Sequence, residues 1–186
     1  MTHNCNCFEE SDPEKQTRES EEHFDEYAHK WAYSVRPERE QWPKLIEFLS
    51  IGPVLEIAAG SGLLAHLLSK ELLTPWIATD DASWECPQCA DRKFYDSERM
   101  SATDAVLKIH SETLVVIWPP PYVEDIVTAV KNYKGQQILY IGEWVEGVTV
   151  DMPFFIALNE NWELVDIVPI QKRITDEACY LYKRKL

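Results

Sequence analysis

Two carboxylates bracket a glycine turn in this chain. Glu56-Ile-Ala-Ala-Gly60-Ser-Gly62 is followed, twenty positions after Gly60, by Asp80 at the close of Trp76-Ile-Ala-Thr-Asp80. An apolar strand that breaks into glycines, a helix that opens at once, and an acid ending the next strand together make a nucleoside pocket. The glycines let a ligand approach backbone where a Cβ would collide. An acid at Asp80's offset can accept bonds from ribose hydroxyls, although a strand-end acid can equally cap its own turn.

Two cofactor classes use this arrangement. Gly60-Ser-Gly62-Leu-Leu-Ala65 satisfies the dinucleotide pattern G-x-G-x-x-A. Glu56-Ile-Ala58-Ala-Gly60-Ser-Gly62 resembles motif I of the class I S-adenosylmethionine (SAM)-dependent methyltransferases, acid-x-Gly-x-Gly-x-Gly, with Ala58 in place of the first glycine. Glu56 favours the second reading. A carboxylate on a buried strand needs a partner, and SAM carries an ammonium and a sulfonium. No Lys or Arg lies between Glu56 and Lys70, which suits a ligand without phosphates.

The resemblance covers roughly residues 21–186 and implies a three-layer Rossmann-like α/β sandwich. Its sheet would be mostly parallel and seven-stranded, with a C-terminal antiparallel hairpin. It further implies that Glu56, Ala58, Gly60 and Gly62 shape the methionine end of a SAM pocket. Asp80 would hold the ribose, with Asp81 as a neighbour that can share the role. Glu98, Arg99 and Met100 would flank the adenine, or Met100 would simply fill core.

Trp118-Pro-Pro-Pro-Tyr122 stands where the family places motif IV, facing the methyl group. Amino-methyltransferases carry Asn, Asp or Ser before Pro-Pro and an aromatic. Here neither Trp118 nor Pro119 offers a side-chain acceptor, though backbone carbonyls remain. Trp118 could shelter a sulfonium by cation–π attraction or be a core residue. The catalytic candidates are Trp118, Tyr122 and Glu143; Glu143 in Gly142-Glu-Trp144-Val-Glu146-Gly147 reads as a base or as a solvated loop acid.

The elements that must position these residues follow from periodicity. Phe24, Tyr27, Ala28, Trp31 and Val35 mark one amphipathic helix, and Trp42, Leu45, Ile46 and Leu49 a second, stopped by Gly52-Pro53. With Tyr33 and Arg36 on the first, residues 21–50 form a helical lid in the family's manner or pack on the sheet. Residues 1–20 read as an acidic, disordered tail and 51–186 as the core. Strands are expected at 54–58, 76–80, 93–97, 114–118, 137–141, 162–170 and 178–183. Helices are expected at 62–72 (N-capped by Ser61), 101–109, from Val123 to Val130, and at 152–158. The run 114–118 is apolar throughout and predicts a central strand buried on both faces.

Composition sets the outer limits. The 186 residues suffice for one domain with a substantial core. Eighteen basic against thirty-two acidic residues give a net charge of −14, which repels phosphate backbones. The expected acceptor is therefore a small molecule or a protein, with no nucleic-acid or membrane partner, and the expected location is cytoplasmic. Five cysteines argue against a disulfide framework. No metal is expected; Cys86-Pro-Gln-Cys89, with Cys5, Cys7 or His3, is the one zinc candidate, and it would make the chain an interaction module. Two further alternatives stay open: a SAM-binding protein without catalysis, and a nicotinamide-dependent oxidoreductase whose proton donor is not visible in the sequence.

Overall fold

The computed structural model describes residues 39–83, 94–144, 149–169 and 177–185. The tail, the helix expected from Phe24 to Val35, the four cysteines Cys5, Cys7, Cys86 and Cys89, and the connection between the last two strands lie outside the described residues.

A 3-10 turn (Arg39–Gln41) leads into α1 (Trp42–Leu49), whose Leu45, Phe48 and Leu49 are buried. Then come β1 (Val54–Ile57), α2 (Leu63–Leu68), a 3-10 turn (Ser69–Glu71), β2 (Trp76–Asp80) and β3 (Glu98–Arg99). The second half runs α3 (Ala102–Lys108), β4 (Thr113–Ile117), α4 (Glu124–Asn132), β5 (Gln137–Glu143), α5 (Met152–Asn161), β6 (Trp162–Pro169) and β7 (Glu177–Arg184). The seven strands form one sheet in the order β3-β2-β1-β4-β5-β7-β6. β1 pairs in parallel with β2 and β4, β4 with β5, and β2 with β3. β7 is antiparallel to both β5 and β6; β6 ends at Pro169 and β7 begins at Glu177, too short a connection for the crossover that a parallel pair needs.

Alternation of side chains divides the core into two layers. Leu55, Ile57, Leu114, Val116, Ile138 and Tyr140 face α3, α4 and α5. Val54, Val115, Ile117, Leu139 and Ile141 face α1 and α2. β4 is buried at all five positions, Thr113 and the apolar run Leu114–Ile117 that predicts it, while Trp118 falls outside the strand and is half-buried. The expected Rossmann-like sandwich with its terminal hairpin is the observed fold. Strand order reverses between β1 and β4, so the crevice for a ligand lies at the carboxyl ends of those two strands.

Several boundaries differ from expectation. β1 stops at Ile57 and β4 at Ile117 because Ala58 and Trp118 have left-handed backbone, φ +52° and +44°. The 62–72 helix is a short α-helix followed by a 3-10 turn, and Gly62, not Ser61, is its N-cap, with no side-chain cap bond. β3 comprises only Glu98–Arg99, and Phe94–Ser97 is not strand. β5 continues to Glu143 because β7 pairs with it that far. α5 runs to Asn161.

Candidate functional site

The turn after β1 is built from alternating left-handed residues: Ala58 at φ +52°, Gly60 at +56° and Gly62 at +71°. Alanine there is strained by roughly 1 kcal/mol, so Ala58 keeps the backbone shape of a glycine position without the glycine. The two glycines serve different ends. A Cβ on Gly60 would meet nothing within 4 Å, whereas one on Gly62 would come within 2.6 Å of Tyr95 Cβ. Gly60 therefore fronts open space, and Gly62 admits the 94–95 segment, which is anchored by Phe94 N–H donating to the Ser61 carbonyl at 2.8 Å.

Asp80 organises this turn from β2. Its Oδ2 accepts from Gly60 N–H at 2.8 Å and its Oδ1 from Ala82 N–H at 2.7 Å. Its backbone carbonyl accepts from Met100 N–H at 3.1 Å, tying β2 to β3. The carboxylate is only half-buried, and two oxygens have capacity beyond two bonds. Asp81 is exposed and caps a turn by accepting from Ser83 N–H at 2.8 Å.

Glu56 sits differently. It is fully buried on the α1–α2 face of the sheet. Its Oε2 accepts from the Trp76 indole Nε1–H at 3.0 Å, and its Oε1 has no hydrogen-bond partner. Burial pushes its carboxyl up to about 8, with the charge of Asp80 adding to the rise and the Trp76 indole and nearby Ala65 amide opposing it. The sequence signal for Trp76 as partner is its register: Val54 pairs with Trp76 and Glu56 with Ala78, so Trp76 is Glu56's diagonal neighbour on one face. Sequence reasoning assigned Glu56 to the ligand and missed the tryptophan beneath it.

Glu98 and Arg99 are exposed and lie within β3 itself, paired with Thr79 and Asp80. Met100 is half-buried against the α3–α5 core layer. Ser101 caps α3 by accepting from Asp104 N–H at 3.2 Å. Asp125, which sequence reasoning also passed over, accepts from Ala102 N–H at 2.7 Å and holds α3 to α4.

At the end of β4 two residues flanking the prolines are left-handed, Trp118 at φ +44° and Tyr122 at +61°. Trp118 is half-buried against the α1–α2 layer; its backbone N–H donates to the Ile141 carbonyl at 2.8 Å, and its Nε1–H is buried without a hydrogen-bond partner. Pro119's carbonyl already accepts from Val150 N–H at 3.2 Å. Tyr122 is 85% exposed. Glu143 is half-buried at the end of β5; its N–H donates to Thr149 Oγ1 at 3.2 Å, and its carbonyl accepts from the Tyr140 hydroxyl at 2.7 Å. Burial raises the Tyr140 phenol well above its ordinary value, so it acts as a neutral tie. Trp144 rests on Phe155 and Tyr180 with ring centroids 5.1 and 5.0 Å away. Thus β1 and β2 bring together Ala58, Gly60, Gly62 and Asp80, with Asp81 beside them. Trp118, Tyr122 and Glu143 stand at the ends of the next strands, and Glu56 lies beneath.

Among the described residues no three His, Cys, Asp or Glu side chains converge as a metal site, and no helix is long and apolar enough to cross a membrane.

No protein family's sequence profile matches the chain, and no curated protein does. Solved structures match it in fold. Ribosomal protein L11 methylase from Lactobacillus delbrueckii subsp. bulgaricus aligns at 16% identity and TM-score 0.52, covering 82% of each chain. Magnesium protoporphyrin IX methyltransferase from Synechocystis PCC 6803, solved with bound SAM, aligns at 8% identity and TM-score 0.53 over 96% of this chain and all of its own. N-methyltransferase NodS from Bradyrhizobium japonicum WM9, solved with S-adenosyl-L-homocysteine (SAH), aligns at 15% identity and TM-score 0.50, covering 80% of this chain and 88% of its own. At these identities the likeness is one of fold, and that fold is the class I methyltransferase fold.

Proposed function

We propose that this chain binds S-adenosyl-L-methionine at the carboxyl edge of β1 and β2 and transfers its methyl group to a small-molecule or protein acceptor. One observation carries the reading: the left-handed turn at 58, 60 and 62 is pinned to the end of β2 by Gly60 N–H donating to Asp80, with open space in front of Gly60. A carboxylate with spare acceptor capacity beside an unobstructed backbone fits an adenosine. In this reading Asp80, with Asp81 beside it, holds the ribose, Glu98 and Met100 border the adenine, and Trp118 closes the pocket over the methyl. SAM supplies a methyl already activated by its sulfonium. The chain's own residues then contribute alignment and exclusion of water.

A second reading, SAM binding without transfer, is favoured by the end of β4. There Trp118 and Pro119 present no side-chain acceptor, and the Pro119 carbonyl is taken up by Val150 N–H. An amine acceptor would find nothing at that position to orient it.

Titration calorimetry with SAM, SAH and NAD tests the cofactor. Binding of both adenosyl ligands at Kd on the order of micromolar, with no heat from NAD, is the expected outcome; NAD binding alone would replace the reading with an oxidoreductase. Transfer of a tritiated methyl from SAM to candidate acceptors then separates the two readings. Binding without any transfer favours the second.

A further inference from the structure

Hydrogen bonds close a corner around the ends of β4 and β5. Trp118 N–H donates to the Ile141 carbonyl at 2.8 Å, and Val150 N–H to the Pro119 carbonyl at 3.2 Å. Glu143 is held in that corner from both sides of its backbone. Its N–H donates to Thr149 Oγ1 at 3.2 Å, and its carbonyl accepts from the Tyr140 hydroxyl at 2.7 Å. The two hydroxyls lie 2.8 Å apart, and both residues are buried. Gly142 makes room for them, because a Cβ there would come within 2.6 Å of the Tyr140 hydroxyl oxygen and 3.2 Å of Thr149 Oγ1. A satisfied buried network of this kind rigidifies what it touches, and here it fixes a single half-buried acid. A merely solvated loop acid needs no such support.

Side chains alternate along β5, so Glu143 stands on the same side of the sheet as Ile141, the α1–α2 side against which Trp118 also packs. Ile117 pairs with Ile141, which sets Glu143 next to the Trp118–Pro119 step, where β4 itself supplies no side-chain acceptor. We propose that Glu143 provides from β5 the acceptor that β4 lacks and binds an amine as the methyl-accepting group, with Thr149 and Tyr140 as its positioning residues. The proposal rests on the methyl-transfer reading above and names its acceptor class. A carboxylate accepts several N–H bonds at once and attracts an ammonium. The other charges at this edge favour the same cation: Asp80, Asp81, Glu98, Glu124 and Asp151 against Arg99 among the described positions. The ammonium first gives a proton to solvent. The neutral amine then donates an N–H bond to Glu143, which turns the nitrogen lone pair toward the methyl. As the C–N bond forms, the bond from methyl to sulfur breaks and its electron pair stays on sulfur as the thioether. The methylated ammonium releases a second proton to solvent.

The test is calorimetry of the full chain with SAH and then, at saturating SAH, with three probes that share one ring: benzylamine, benzyl alcohol and benzoate. Benzylamine is expected to bind with Kd on the order of millimolar, and the other two at least about tenfold more weakly. Glu143→Gln should lower benzylamine affinity by about tenfold or more and leave SAH affinity unchanged. Thr149→Val should lower the ratio of amine to alcohol affinity, and Thr149→Ser, which restores the hydroxyl, should recover it. A Thr149 that only stabilised the fold would move the unfolding midpoint and leave that ratio alone. With SAH bound, benzylamine no better than the alcohol, no benzylamine heat at all, or a preference that survives Glu143→Gln would overturn the proposal and leave the cofactor reading standing. Silence from SAH would overturn both together.

Discussion

Glu56 makes the strongest claim at the scale of single residues, because an unbalanced buried carboxyl must appear in the pH dependence of stability. Its folded value lies near 8 against an ordinary 4.5, raised first by burial. The folded chain therefore holds a proton that the unfolded chain has lost, and stability falls as pH rises from 4.5 to 8. Below that window the contribution is fully present; above it the loss is complete, on the order of a few kcal/mol. Glu56→Gln should flatten the window when urea midpoints are compared at pH 5 and pH 8.5, and a fall of equal size in the variant would refute the assignment. Ala58 gives a second, smaller effect. Its left-handed backbone suits glycine, so Ala58→Gly should raise the thermal midpoint slightly, for a gain of about 1 kcal/mol. Any loss of stability would show that the alanine methyl has a packing role that outweighs its strain.

Elements explain why the two loop glycines should respond differently. Gly62 must admit Tyr95 at the start of the segment leading to β3, so Gly62→Ala forces a 2.6 Å contact apart and should destabilise the fold by about 1–3 kcal/mol. Gly60→Ala meets no atom and should cost less stability, yet it places a methyl where the cofactor is proposed to lie. Comparing unfolding midpoints with SAM affinity separates the two roles; equal loss of stability in both variants would contradict this division. The same elements show what could be read from sequence. β4 was legible because the apolar run Leu114–Ile117, buried on both faces, leaves no alternative, and β6 and β7 because the sequence between them is too short for a crossover. That a glycine turn follows β1 and that Asp80 closes β2 was legible from spacing. β3 was misplaced because two exposed residues joined to β2 carry no hydrophobic period. Trp76 was missed as a partner because a tryptophan opening a strand reads as core, and only the register of β1 against β2 brings its indole to Glu56. The taken Pro119 carbonyl depends on Val150, thirty-one positions later, which no local pattern reports.

At the scale of the whole molecule, charge bears on the acceptor. The fold is shared with a protein named as an rRNA methylase as well as with a magnesium protoporphyrin IX methyltransferase, so fold alone leaves the acceptor class open. The chain's net charge of −14 opposes a polynucleotide. Local charge points the same way. At the carboxyl ends of the strands stand Asp80, Asp81, Glu98, Glu124, Glu143 and Asp151, with Arg99 the one basic residue among the described positions there. A polynucleotide brought to this edge would meet carboxylates where counterion release requires lysines and arginines. The repulsion is screened beyond about 8 Å at physiological salt, but a bound strand lies well inside that distance. Fluorescence anisotropy of labelled tRNA should therefore show no saturation at 0.15 M salt, with Kd weaker than the ~10⁻⁴ M limit of ordinary non-specific binding. Because the opposing force is electrostatic, raising the salt should not weaken what little association exists. Tight, salt-sensitive binding would instead require a basic surface away from this edge, and it would move the proposed acceptor from small molecules and proteins to RNA.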